Sequence, residues 1–416
     1  MGERRRRIAI LGAGPVGLEA ALQARALGLE VSVFERGRVA ENVRRWGFVR
    51  LFSPWSLNVS SLGLETLRGL GLPPPSPDAF PTGHELREKY LDPLAESLGD
   101  LISTRTEVLA ISRSGLLKGD LPGGKQRGSA PFRLLLRDPS GERDAEADVV
   151  IDAGGVYATP ASLGDGGVPA LGEIAMEENI EHPLPDIRGS ERARFAGRST
   201  LLVGAGFSAA TTLSSLLDLV KEAPATTVVW ARRGTRAAPF PLHAEDPLPE
   251  RARLAIEGNR VAAAPPDGIT VLEGVTVHRL ERDEEKIRVE LTPIHGNGEA
   301  RIILVDRIVA HVGHRPDTSV FRELQVHQCY ASEGPMALAA ALLRSAGGAG
   351  GDCLAQKNPG GDTLRNPEPG FFVIGQKSYG RRSDFLLRVG LEQVRDVFRL
   401  IESSLALDSQ GACQRG

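Results

Sequence analysis

Arg7-Ile-Ala-Ile-Leu-Gly12-Ala-Gly14-Pro-Val-Gly17 is followed by a helical run to Gly28 and then by Leu29-Glu-Val-Ser-Val-Phe-Glu35-Arg36. A short apolar strand, a glycine-rich turn, a helix and a second apolar strand make a βαβ unit. The glycines have separate physical duties. Gly12 permits the tight turn, Gly14 lets a pyrophosphate approach the backbone, and Gly17 allows close packing of helix on strand. The pyrophosphate then rests on the positive helix N-terminus. Glu35 closes the second strand, where a carboxylate accepts hydrogen bonds from the two hydroxyls of a ribose and repels a 2′-phosphate. The glycines alone signal no more than a small-residue contact; strand, helix and acid together predict a dinucleotide site.

The pattern returns once. Residues 200–233 read Thr-Leu-Leu-Val-Gly204-Ala-Gly206-Phe-Ser208-Ala209-Ala, a helical run to Lys221, then Thr226-Thr-Val-Val-Trp-Ala-Arg232-Arg233. Ala209 replaces the third glycine, which this turn tolerates. The second strand ends in two guanidinium groups, which favour a ribose 2′-phosphate and so predict NADPH. The plain alternative is a solvated strand end. Reading Gly206-Phe-Ser208-Ala-Ala210 as a hydrolase nucleophile elbow fails for want of the closing glycine.

Composition bounds what surrounds these units. The chain has 416 residues, room for two or three domains. With 50 basic and 53 acidic residues its net charge is −3, so no basic field exists to hold nucleic acid or an anionic membrane. The longest charge-free stretch, Ser199–Leu217, carries seven Ser/Thr and two Gly and is no membrane span. Arg4–Arg7 before Ile8–Gly14 lacks the apolar length and small-residue cleavage site of a leader, so a cytoplasmic protein is expected. Cys329, Cys353 and Cys413 form neither an even framework nor a Cys-x-x-Cys pair.

Between the two units, Leu86, Tyr90, Leu94 and Leu98 recur at helical spacing behind Thr82, a fitting N-cap. Strands are expected at Glu107–Ile111, Phe132–Leu136 and Asp148–Ile151, with Gly115–Pro131 as a hairpin loop. Later strands are expected at Val275–Leu280, Ile287–Leu291, Arg301–Leu304, Ile308–His311 and Phe371–Gly375. A terminal helix follows from about Asp384 to Glu402, and residues 345–370 form a Gly/Asn/Pro-rich excursion.

Two nucleotide units in one chain imply a resident flavin and a diffusible nicotinamide. The arrangement resembles the two-dinucleotide-binding-domain flavoproteins, in particular the flavin-containing and Baeyer–Villiger monooxygenases. The resemblance rests on the two turns, on Val150-Ile-Asp-Ala-Gly154-Gly155 as the crossover between domains, and on Asp306–Asp317 as the return crossover. It rests also on Glu368-Pro-Gly-Phe-Phe-Val-Ile-Gly375-Gln376 as the strand that reaches the flavin, with Gln376 in place of the usual Asp. It implies an α/β fold of two Rossmann-like domains. Residues 1–158 and 314–416 would bind FAD, and an inserted NADPH domain would span 159–313. The monooxygenase motif Phe-x-Gly-x-x-x-His is not intact; only His182 stands at a comparable distance before Gly204.

By the same resemblance the segment after Glu35 runs beside the flavin. Trp46, Phe48, Phe52 and Trp55 make it aromatic, either as a wall for the flavin and a substrate mouth or as a plain core cluster. Phe52 and Asn58 match an aromatic–asparagine spacing of flavin-containing monooxygenases, so Asn58 and Gln376 are the candidate catalytic residues. The expected cofactor contacts are Gly12, Gly14, Gly17, Glu35, Arg36, Trp46, Phe52, Val108, Gly154, Gly155, Gly375 and Gln376 for FAD. Those for NADPH are Gly204, Gly206, Ser208, Arg232 and Arg233. Lys377, Arg381 and Arg382 ahead of the terminal helix are candidates to stabilise negative charge on the flavin, or else a basic surface loop. His311-x-x-His314 has no acidic partner in sequence, and no metal site is expected. The implied activity is oxygenation of a small nucleophilic nitrogen or sulfur, or of a ketone. The alternatives are an NADPH-dependent reductase of a quinone, a carrier or a thiol pair, and a nucleotide sensor without turnover. The expected partner is a small-molecule substrate, with a homodimer possible and Cys329 and Cys353 read as buried residues outside turnover.

Overall fold

The computed structural model describes residues 5–294, 298–346, 354, 356 and 358–413. The chain divides into two compact units. One runs to Gly47, from Ser53 to Thr159 and onward from Arg315; the other comprises Phe48–Phe52 and Pro160–His314.

The first unit is built on a parallel sheet. Its strands are β1 (Arg7–Leu11), β2 (Glu30–Phe34), β3 (Ile102–Ser103), β7 (Val149–Asp152) and β16 (Phe371–Val373), in the order β16-β7-β1-β2-β3. Ile8–Ile10, Val149–Ile151 and Phe371–Val373 are continuous apolar runs, and all are buried, as strands covered on both faces require. The helix Pro15–Ala26 supplies the crossover from β1 to β2 and packs against the terminal helix Leu387–Cys413, whose Leu391, Val394 and Phe398 are buried. Three antiparallel strands, β4 (Glu107–Arg113), β5 (Phe132–Asp138) and β6 (Gly141–Ala147), form a second sheet. Thr82 caps the helix that follows it through a reciprocal capping box with Glu85. That helix runs through one π-helical turn, Arg87–Leu91, and continues to Leu98.

The loop Gly115–Pro131 is fastened from inside. Arg113 and Arg127, both fully buried, converge on the equally buried Glu368, at 2.8 and 2.9 Å. Glu368 also accepts the backbone N–H of Gln325, at 2.9 Å. The ions thus tie the antiparallel sheet and its loop to the segment that leads into β16.

The second unit repeats the theme. A wholly parallel sheet has the order β11-β10-β9-β15-β8, from β8 (Ile180–Glu181), β9 (Ser199–Val203), β10 (Thr227–Arg232), β11 (Ile269–Glu273) and β15 (Arg307–Ala310). The helices Phe207–Glu222 and Pro249–Ala263 pack on one another, with Trp230, Phe240, Leu213 and Leu254 in their core. An antiparallel meander, β12 (Val275–Asp283), β13 (Lys286–Pro293) and β14 (Arg301–Val305), packs Val277, Val289 and Leu291 against Leu201 and Ile308. Phe52 belongs here, its ring edge-on to Phe207 at 5.2 Å. Among the described residues no helix is long and apolar enough to cross a membrane.

Candidate functional site

Open α/β sheets bind ligands beyond the carboxyl ends of their strands, and the glycine-rich turn of each unit follows such a strand end. In the first unit Gly12 has φ +92° and donates its N–H to Phe34 O at 2.8 Å. A Cβ there would lie 2.9 Å from Ala153 O, and one on Gly17 would lie 1.9 Å from Gly12 O. No side chain fits at either position. Gly14 differs: it is the N-cap of Pro15–Ala26, no side chain caps it, and nothing lies within 4 Å of where its Cβ would stand. The helix N-terminus therefore opens onto free space, the form a pyrophosphate cradle takes.

Glu35 accepts the N–H of Ala13 at 2.8 Å and of Gly37 at 2.7 Å, which fixes its carboxylate over the turn with lone pairs to spare. Ala40, held at φ 52°, donates to Ala13 O at 3.0 Å and closes the loop behind Glu35. Arg36 is exposed and lies 3.9 Å from Glu107, while Val108 packs against the core. On the far side, Gly154 N–H bonds Asp152 Oδ1 at 3.0 Å, and Gly155 takes φ +68°. Gly375, at φ +69°, faces Val16 and donates to Gln393 Oε1 at 2.8 Å. These residues fit an adenine dinucleotide with a free ribose.

Several of the expected residues are engaged in contacts of their own. Asn58 is buried, and its amide is spent on its own loop: Nδ2 donates to Ser53 O and Pro54 O, and Oδ1 accepts the Ser53 hydroxyl. Trp46 lies against Gly83, where a Cβ would touch its ring at 2.7 Å, and its indole N–H is buried without a hydrogen-bond partner. Trp55 is a core residue, and Phe52 packs within the second unit. Gln376 donates to Arg382 O at 2.6 Å. Lys377, Arg381 and Arg382 each face an acid, respectively Asp152, Glu333 and Asp384. Their charge is therefore locally neutralised. The pair of Asp152 with Lys377 was not read from the sequence; the available signal was an acid ending the apolar run Val149-Val-Ile.

In the second unit Gly204 has φ +130°, and its Cβ would lie 2.2 Å from His311 O. Its carbonyl accepts the Trp230 indole N–H at 2.7 Å. Gly206 is the N-cap of Phe207–Glu222, with open space around its Cβ position, and Ser208 is exposed in the first turn. The two arginines part company. Arg232 is buried; it pairs with Glu273 at 2.5 Å and donates to the carbonyls of Gly234 and Arg236. Arg233 is exposed, as is Arg236 beyond it.

Beside this turn three histidines gather after β8 and β15. His311 Nε2 lies 2.8 Å from the Thr212 hydroxyl. Burial, with repulsion from His314 and His182, pushes His311 down to about 3; burial and His182 lower His314 as well. His182 has Glu177 3.1 Å from Nε2. Among the described residues no group of His, Cys, Asp and Glu is placed to hold a metal. Cys329 is buried, its thiol lowered chiefly by a hydrogen bond with the Ser332 side chain; Cys353 lies outside the described residues.

The fold is that of the two-domain FAD/NAD(P)H oxidoreductases. The family profile described as pyridine nucleotide-disulphide oxidoreductase matches residues 7–41, the first βαβ unit. No curated protein sequence matches the chain. Bacillithiol disulfide reductase from Bacillus cereus superposes with a TM-score of 0.68 at 16% identity, over 96% of this chain and 100% of that one. Ornithine N-hydroxylase from Kutzneria sp. 744 gives 0.65 at 15% identity, over 96% and 100%. Thioredoxin reductase from T. acidophilum gives 0.57 at 16% identity, over 95% and 99%.

Proposed function

We propose that this protein is an FAD-dependent oxidoreductase that draws reducing equivalents from NADPH and oxygenates a small nucleophilic nitrogen or sulfur compound, or a ketone. The observation that carries it is the pair of open cradles at Gly14 and Gly206, one closed by an acid and the other flanked by exposed arginines. Bound FAD supplies two-electron redox chemistry, and bound NADPH supplies the hydride. The protein's part is to bind and select. Gly14 and the N–H groups of the first helical turn would hold one pyrophosphate, with Gly12 and Gly17 shaping the turn, and Glu35 would take the ribose hydroxyls. Gly204, Gly206 and Ser208 would hold the other, Arg233 and Arg236 would be available to a 2′-phosphate, and Arg232 braces the loop between them.

A second reading, an NADPH-dependent disulfide reductase, is supported by the similarity of the fold to bacillithiol disulfide reductase and thioredoxin reductase. The test uses the FAD-loaded protein with NADPH, a panel of small amines, thioethers, ketones and disulfides, and isotopically labelled O2. Label appearing in product supports the oxygenase. Stoichiometric disulfide reduction without label installs the reductase, and no substrate-stimulated NADPH consumption leaves a sensor.

A further inference from the structure

Asp152 and Lys377 form a buried ion pair that the cofactor contacts above leave unused. Nζ stands 2.6 Å from Oδ2, the side chains are 6% and 0% exposed, and the ammonium also lies 5.4 Å from the centre of the Phe321 ring. Asp152 ends β7 among apolar residues, where an aliphatic side chain would cost nothing in desolvation. Removing two ions from water costs several kcal/mol each, and a neutral pair of similar volume is often as stable. Stability of the fold is therefore a poor account of the pair.

Its connections supply a better one. The other carboxylate oxygen, Oδ1, holds Gly154 N–H at 3.0 Å. This sets the turn Ala153–Gly155, whose Ala153 carbonyl lies against the Cα of Gly12 and whose Ala153 N–H bonds Leu11 O. Asp152 O accepts Ile374 N–H at 3.0 Å, at the end of β16. Lys377 lies in the 3-10 turn Gly375–Tyr379 that follows, so the ion pair clamps the turn after β7 to the turn after β16. The first turn lies against Gly12 and the second, through Gly375, against Val16, so the two flank the glycine-rich turn and the start of its helix.

Resting on the FAD reading of that glycine-rich turn, we propose that Asp152 and Lys377 are positioning residues, whose ion pair sets the separation of the two flanking turns and with it the affinity for the flavin dinucleotide. Neither residue needs to touch the cofactor.

The experiment measures FAD binding to the deflavinated full-length chain by fluorescence quenching, with thermal unfolding of the same apoprotein alongside. K377M and D152N are each expected to weaken FAD binding about tenfold or more, the scale of one lost charge-assisted hydrogen bond. K377R, which keeps the charge, should recover most of the affinity. The double variant D152N/K377M is decisive, because it removes both ions and leaves no buried charge unpaired. It should unfold at the parent's temperature or above yet still bind FAD weakly. Parent-like FAD affinity in D152N/K377M overturns the inference alone, as does K377R binding no better than K377M. A parent chain that takes up no FAD overturns the proposed function and this inference together.

Discussion

A single methyl group at residue 14 would occupy the space in which a pyrophosphate meets the backbone. Because nothing lies within 4 Å of that position, the Cβ of Gly14→Val meets no neighbour in the empty protein. It should fold like the parent and purify colourless; a Gly14→Val protein fully loaded with FAD would sink the assignment. Gly12 and Gly17 make no such clean test, since a side chain at either collides with backbone. The arginines separate in the same way. Replacing Arg233 and Arg236 with Ala should reduce the preference for NADPH over NADH about ten- to a hundred-fold, with NADH use little changed. Arg232→Ala should instead destabilise the second unit, because it removes a buried guanidinium that ties Glu273 to two loop carbonyls. Cofactor titrations and denaturant melts on the variants separate the two effects.

Among the elements, the arginine–glutamate–arginine cluster and the histidine group make different demands on conditions. Glu368→Ala leaves two guanidinium groups buried without their anion, and should cost about 3–5 kcal/mol in urea unfolding; a loss under about 1 kcal/mol would show the cluster to be hydrated or slack. His311 stays neutral in the fold down to about pH 3, whereas an unfolded imidazole takes a proton near 6.5. Its contribution is therefore whole above about pH 6.5 and is lost as the pH falls toward 3, at up to about 1.4 kcal/mol per pH unit. Unfolding curves from pH 7 to 4.5 should converge for the parent and His311→Asn as acid erodes the parent; parallel curves would refute the effect. Much of this level was legible beforehand. Two βαβ units, the Thr82 cap and most strands announce themselves through local periodicity and turn chemistry. Helix Pro249–Ala263 and the ion clusters do not. That helix carries a charged face that dilutes its apolar stripe, and Arg113, Arg127, Asp152, Glu368 and Lys377 meet only through long-range topology. Aromatic content is a weaker guide: Phe52 and Trp55 sit in core packing, the plain alternative that their apolar surface also allows.

For the molecule as a whole, Cys329 offers one test of oxygenase against thiol reductase. If oxygenation is the activity, Cys329→Ser should keep its flavin content and its rate of flavin reduction by NADPH, and product formation should be unchanged. Abolished reoxidation by substrate, followed spectroscopically, would transfer the assignment to the reductase. The two-unit arrangement also explains why the sequence yields cofactors more readily than substrate. Phosphate cradles are contiguous in the chain, whereas a substrate pocket is assembled from side chains far apart in it.

The first unit is interrupted, leaving at Thr159 and resuming at Arg315, whose N–H bonds Thr159 O at 2.8 Å. This imposes an order on biosynthesis. A ribosome adding about 5–20 residues per second completes the inserted sheet once Ala310 has emerged, while the first unit's sheet still lacks β16 and the helix behind it. On the proposed assignment, nascent chains become competent for the nicotinamide nucleotide before they are competent for flavin. Premature termination after residue 314 should release a product that retains NADP but never turns yellow, and flavin scarcity in the cell would act on finished chains alone.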